Sequence, residues 1–303
     1  MGESAAFSPG HITGIFRIHD QPEEPLKKGS WGAGVSLAKG VTTTVNTRNS
    51  SRNSFQIRIN DETTKSAKVS EHVINTFLSH AKKKSRIIVD HDVKIPIGSG
   101  FGSSGAGALG LALALNEALN CEFSHIEAAQ VAHIAEVDCK TGLGTVIAEA
   151  SGGLEIRTKP GGPGVGELRN IPVENDYAVA CLSFGPISTG EVLTSEEFRQ
   201  RINAFGGELL DRLIAEPKPR VFMDLSRKFA EHVELISPRI KNLFTEADSR
   251  GLTCSMAMLG ETVFSLVKTD SLEDLLKIFH RHAPSEQNLI ISEIDFQGAR
   301  LLD

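Results

Sequence analysis

The sequence predicts an α+β fold in two halves, and three observations lead there. Short β-branched and apolar runs bounded by Gly, Pro, Asn and Ser alternate irregularly with helical patterns, without the regular βαβ repeat of a parallel sheet. Residues 159–166, six of which are Gly or Pro, must form a turn or boundary, and they divide the chain into 1–158 and 159–303. A length of 303 residues is ample for two ordinary domains with a sizeable core.

In chain order, residues 12–18, 33–45 and 55–59 read as strands, 66–81 as a helix and 86–90 as a strand. Residues 103–119 form a helix of Ala and Leu, apolar nearly all round before Asn116, which predicts burial. Ser124 and Glu127 have capping-box spacing and open a helix that runs to about Val137. A strand at 153–158 precedes the Gly/Pro segment. Beyond it, strands are expected at 177–184, 255–258, 262–267 and 289–291. Helices are expected at 195–215, 220–235 and 240–249, with another starting at Ser271.

Composition narrows the function classes. A net charge of -6 argues against a nucleic-acid or anionic-membrane partner, and Lys82, Lys83 and Lys84 read as a solvated helix end. The longest apolar run, 105–115, is too short to span a bilayer, and residues 1–10 lack a secretory pattern. Cys121, Cys139, Cys181 and Cys254 show no metal-site spacing and read as reduced thiols, so the expected location is the cytoplasm.

The chemistry concentrates in residues 96–110, Pro-Ile-Gly-Ser-Gly-Phe-Gly-Ser-Ser-Gly-Ala-Gly-Ala-Leu-Gly. A glycine-rich loop opening a helix lets backbone amides approach an anion while the helix dipole adds positive potential, so phosphate is the expected guest. Gly100, Gly102 and Gly105 satisfy GxGxxG, but a capped second helix follows where a dinucleotide fold needs a strand. The Walker A pattern fails because Cys139 precedes Lys140 and Thr141, and the HRD and DFG motifs of protein kinases are missing.

The pattern Pro96-x3-Gly100-Phe101-Gly102-Ser103-Ser104-Gly105 resembles the P-x3-G-L-G-S-S-A signature of the GHMP kinase superfamily, departing at Phe101 and Gly105. Ser8-Pro9-Gly10-His11-Ile12 is similar to that superfamily's first motif, and residues 255–264, with Gly260, to its third. Within the superfamily, segments 9–14, 25–34 and 141–146 resemble the archaeal pantoate kinase family.

The resemblance implies a two-domain fold, with an N-terminal ribosomal-protein-like βαβ domain and a C-terminal ferredoxin-like α+β domain. It implies ATP-dependent phosphorylation of pantoate to 4-phosphopantoate in coenzyme A biosynthesis, with ATP and Mg²⁺ as cofactors and a homodimer as the assembly. A sister kinase for homoserine, shikimate or a mevalonate-type alcohol stays open, as does a non-catalytic nucleotide or metabolite sensor.

The family's site residues carry over position by position. Pro96, Gly98, Gly100, Gly102, Ser103, Ser104 and Gly105 are expected to bind ATP, with Ser104 and Glu136 as catalytic metal ligands. Arg157 is the expected clamp for the pantoate carboxylate, joined by His11, Lys28, Ser30 and His133 as substrate contacts. Taken alone, Glu136 reads as a solvated helix residue; for His133 local satisfaction weighs equally with substrate contact, and for Arg157 an edge-strand charge is the alternative to the clamp. Thr145 aligns where many of these kinases carry an aspartate base, and a threonine is not a useful base at neutral pH. Three routes follow: transfer without a protein base, which is preferred, substitution by Asp138, or loss of activity.

Overall fold

Two long strands organise the first half of this computed structural model, which describes residues 2–187 and 196–303. β1 (Gly2–His19) and β2 (Gly29–Asn49) pair antiparallel along nearly their whole length, joined through a 3-10 turn at Pro25–Lys27. They extend past the runs that predicted them because the ladder holds Gly and small polar residues whose own strand preference is low. Bulges at Pro9/Gly10 and Thr13/Ile15 flank His11, and such irregularities re-aim the side chains of a strand.

The first sheet has eight strands. Its main path runs β12 (Arg300–Leu302), β1, β2, β5 (Ser85–Val93), β3 (Ser54–Ile59), β4 (Glu62–Thr64). β6 (Leu154–Lys159) also pairs with β2, and β7 (Glu167–Asn170) with β6. Among the described residues only β3 and β5 pair parallel, and α1 (Lys68–His80) lies in the connection between them, as a parallel pair requires.

α2 (Ser103–Leu119) packs on β1 and β2, with α1, α3 (His125–Cys139) and α4 (Thr145–Ser151) around it. This enclosure explains its all-round apolar surface, buried without interruption from Ala108 to Leu115. The capping box forms as expected: the Ser124 hydroxyl accepts from the Glu127 amide, and the Glu127 carboxylate accepts from the Ser124 amide.

The second sheet is antiparallel, in the order β11 (Leu289–Ser292), β8 (Tyr177–Pro186), β10 (Gly260–Lys268), β9 (Ser255–Met256). Four helices accompany it: α5 (Glu196–Ala215), α6 (Pro219–Val233), α7 (Pro238–Asp248) and α8 (Thr269–His282). Ser195, where the sequence pattern of α5 begins, lies outside the described residues. One apolar cluster runs from Ile12, Ile15 and Phe16 on β1 to Phe222, Phe229 and Phe264, so the two sheets share a core. Phe16 and Phe229 meet edge-on at 5.8 Å.

The boundary expected at 159–166 takes a different form. That segment is a turn inside the first sheet, because β7 beyond it pairs back onto β6, and β12 returns from the C-terminal end to β1. Gly and Pro mark where the chain reverses but not what the flanking strands pair with. The pattern also misses α4, β4, β7 and β12, which are too short to display a period. The four cysteines are free, and no helix among the described residues is long and apolar enough to cross a membrane.

Candidate active site

A cavity of about 500 Å³ is walled by the loop ahead of α2, the end of α3, the start of α4, residues of β1, β5 and β6, and the loop before β10. The loop ahead of α2 takes its shape from three left-handed residues: Gly98 (φ +72°), Gly100 (φ +87°) and Gly102 (φ +66°). Gly102 caps α2 without any side-chain hydrogen bond, which leaves first-turn amides free for an anion. Two motifs distant in sequence brace this loop. The His11 amide donates to Phe101 O at 2.9 Å, and the Thr262 hydroxyl donates to Ser99 O at 2.8 Å.

Ser104, in the first turn of α2, donates its hydroxyl to Glu136 Oε1 at 2.5 Å, and Thr141 donates to the same oxygen at 2.7 Å. Glu136 lines the cavity and is not the solvated helix residue that its sequence alone suggests. Burial pushes its carboxyl above the ordinary value, while the two hydroxyls pull the other way. A buried carboxylate whose hydrogen-bond partners are neutral hydroxyls, beside a glycine-rich anion loop, is a hard oxygen donor set that fits Mg²⁺.

β1 and β6 contribute a closed polar ring. His11 Nε2–H donates to Glu155 Oε1 at 3.0 Å, with both side chains fully buried. Arg157 Nη1 lies 3.5 Å from the same oxygen and donates to Gly144 O at 3.3 Å, while Nη2 donates to Thr13 Oγ1 at 3.5 Å. Thr13 completes the ring by donating to His11 Nδ1 at 3.4 Å. The absence of side chains on β2 makes the space. A Cβ at Gly34 would fall 2.4 Å from the His11 ring, and one at Gly32 would fall 2.1 Å from Arg157 Nη2. Arg157 is therefore no edge-strand charge: β6 lies between β2 and β7, and the guanidinium is 2% exposed.

The expected residues do not all converge. His11, Ser30, Gly98, Gly100, Gly102, Ser103, Ser104, Gly105, Glu136, Thr145 and Arg157 line the cavity. Pro96 and Lys28 lie outside its lining. His133 is buried behind the Pro25–Lys28 turn, where its Nε2–H donates to Pro25 O at 3.2 Å and Lys28 O at 3.1 Å. The locally satisfied reading describes this geometry, and His133 reaches the cavity only by shaping the chain that carries Ser30. Asp138 is the clearest correction. It faces outward on α3 and accepts from His72 Nε2 at 3.1 Å, so it cannot replace a base inside the cavity.

Sequence reasoning missed Thr13, Thr141, Glu149 and Glu155. Glu155 stands two residues before Arg157, hence on the same face of β6, and that spacing was a usable signal. Glu149 stands one helical turn after Thr145, but its helix was not recognised.

The cavity lining also includes Val41, Ile59, Val69 and Val93 with the buried His91. His91 Nδ1 pairs with Thr43 Oγ1 at 2.8 Å and Nε2 with Ser70 Oγ at 3.2 Å. Burial lowers its pKa from near 6.5 to about 4, outweighing the opposing charge of Asp90. The unfolded chain therefore binds the proton first as pH falls, so stability due to neutral His91 is complete above pH 6.5 and lost toward pH 4. Denaturation at pH 7 and pH 4.5 should show a loss of roughly 2–3 kcal/mol that His91→Gln abolishes. An equal loss in the variant would assign the acid sensitivity elsewhere.

The glycine loop, the serine–glutamate pair and the two-sheet fold together define a phosphoryl-transfer enzyme of the GHMP kinase type. Residues 67–153 match the GHMP kinases N terminal domain. A pantoate kinase of Thermococcus kodakarensis is 39% identical over 275 residues, covering 88% of this chain and 89% of the relative. One from Methanocaldococcus jannaschii is 36% identical over 276 residues, covering 90% and 96% respectively. A solved structure described as a phosphotransferase related to the CoA biosynthesis pathway superposes with a TM-score of 0.90 at 34% identity, covering 99% of this chain and 98% of that one. The chain belongs to the pantoate kinase family of the GHMP kinases.

Proposed function

We propose that this chain transfers the γ-phosphoryl group of ATP to the primary hydroxyl of pantoate, giving 4-phosphopantoate for coenzyme A biosynthesis. The observation that carries this reading is Arg157, a buried guanidinium lining the same cavity as the phosphate loop. Its Nε has no hydrogen-bond partner. A planar cation with unspent donors is suited to a substrate carboxylate, and pantoate supplies one together with two hydroxyls.

The geometry supports the following roles. Amides of the Gly98–Gly105 region cradle the nucleotide phosphates, and Ser104 and Glu136 hold Mg²⁺. The bound Mg²⁺ supplies neutralisation of phosphate charge. Ser30 and His11 line the substrate side, where the His11–Glu155 hydrogen bond holds the imidazole in one orientation. Arg157 fixes the carboxylate end of pantoate, which limits how its hydroxyls can approach the phosphate loop.

A transfer assay with labelled ATP and a panel of pantoate, homoserine, shikimate and mevalonate tests the reading. Label in phosphopantoate alone is the expected result. Preference for any other alcohol overturns the substrate assignment. A second reading, a non-catalytic sensor, draws on Thr145, and it would be favoured by ATP binding without transfer to any member of the panel.

A further inference from the structure

The groups described so far leave the acceptor proton unassigned, and a buried carboxylate beside the cavity is unused. Glu149 on α4 is 0% exposed, and neither of its carboxyl oxygens meets a partner in full hydrogen-bond geometry, though the Thr145 hydroxyl stands near enough to act on the carboxyl. Both oxygens press against the phosphate loop at positions that only glycine can occupy. A Cβ at Gly102 would fall 2.4 Å from Oε1, and one at Gly105 would fall 2.7 Å from Oε2. That same Gly105 Cβ would lie 2.8 Å from Thr145 Oγ1, so the threonine hydroxyl and the glutamate share one small space. Thr145 lines the cavity and Glu149 does not, which makes the hydroxyl the link between carboxylate and substrate.

We propose that Thr145 and Glu149 form the proton path for the acceptor hydroxyl, with Thr145 as relay and Glu149 as final acceptor. The substrate oxygen forms its bond to the γ-phosphorus as the bond from that phosphorus to the bridging oxygen breaks and ADP leaves. The substrate proton passes to Thr145 Oγ1 while the threonine's own proton passes to Glu149, which ends neutral and later returns the proton to water. Threonine acts here as a conduit, so its own weak basicity is no obstacle. Several charges act on Glu149. Burial, the largest cause, and then Glu136 hold the Glu149 carboxyl well above the ordinary carboxylate range, with Glu155 on β6 adding to them, while Arg157 and the Thr145 hydroxyl oppose, so the carboxyl is biased toward holding a proton. His11 on β1 stands close behind Gly102 and carries positive charge only if protonated. Glu149 hydrogen-bonds to neither Ser104 nor Glu136, although the Glu136 charge reaches it.

The proposal rests on the kinase reading, which wild-type transfer to pantoate tests by itself; variant-to-wild-type ratios test the relay. Glu149→Gln preserves shape and removes basicity, and kcat should fall by about 10²-fold with ATP affinity by calorimetry unchanged. In the pH–kcat profile the acidic limb should lose the step owed to Glu149 and keep the one owed to Glu136. Thr145→Val should produce a similar loss, and the double variant should be no worse than either single one because both interrupt one path. Placing a carboxylate directly on the cavity in Thr145→Asp/Glu149→Gln should recover most of the lost turnover, which a purely structural role for Glu149 would not allow. A wild-type kcat and pH profile in Glu149→Gln, multiplying losses in the double variant, or failure of the aspartate to rescue would each overturn the proposal. Melting temperatures identify any variant that fails to fold, and Thr145→Val then carries the test.

Discussion

Replacing Glu136 with glutamine is expected to lower turnover by about 10²–10³-fold, the scale for losing an electrostatic group at a transferring phosphoryl. The folded protein should be no less stable. Burial already pushes the Glu136 carboxyl up, so ionising it in the folded chain costs stability as pH rises through its folded value. Glutamine removes that cost at neutral pH and still offers an oxygen to the Ser104 and Thr141 hydroxyls. Two measurements read the result: steady-state kcat across an Mg²⁺ titration, and denaturant unfolding. Near-normal kcat with an unchanged Mg²⁺ requirement would remove Glu136 from the metal site.

The second large effect concerns Arg157. Substitution by leucine should cost about 3 kcal/mol of stability, because it strands a buried charge rather than exchanging one contact for another. Glu155 would keep only His11 as its partner, and Gly144 O and Thr13 Oγ1 would each lose a donor. The KM for pantoate should rise at least about tenfold, the value of a lost charge-assisted bond. Arg157→Lys separates the two roles, since it keeps the charge and loses the planar fork. If lysine restores stability but not KM, the guanidinium reads the carboxylate. Unchanged KM in both variants would leave Arg157 with a structural role only.

Different parts of this site were legible to different degrees. The glycine-rich loop could be read because its shape depends on local backbone: glycines in left-handed conformations at the start of a helix are the same whatever surrounds them. Ser104 and Glu136 are far apart in sequence, and only the resemblance joined them; the fold then brings their oxygens to 2.5 Å. Asp138 shows the limit of proximity in sequence. It is two residues from Glu136, but a helix turns about 100° per residue, so the two side chains leave α3 on different faces. His133 lies one turn before Glu136, and its nitrogen is drawn to two backbone carbonyls that no sequence pattern reveals. Glu149 was invisible because a seven-residue helix carries no measurable period.

By itself the sequence determined the α+β class, the buried α2, the capped α3, the glycine-rich loop ahead of α2 and the family, because each depends on short-range periodicity, turn chemistry or contiguous motifs. Only the tertiary structure decided which polar residues share the cavity. It carried the chain past the glycine–proline turn within one sheet, returned β12 to β1 and joined the two sheets through one apolar cluster while a second cluster packs the first sheet against its helices. It also placed Glu149 against the underside of the phosphate loop, at glycines whose missing Cβ atoms leave room for it. Contacts of that kind join residues far apart in the chain, and they are set by packing rather than by any local pattern.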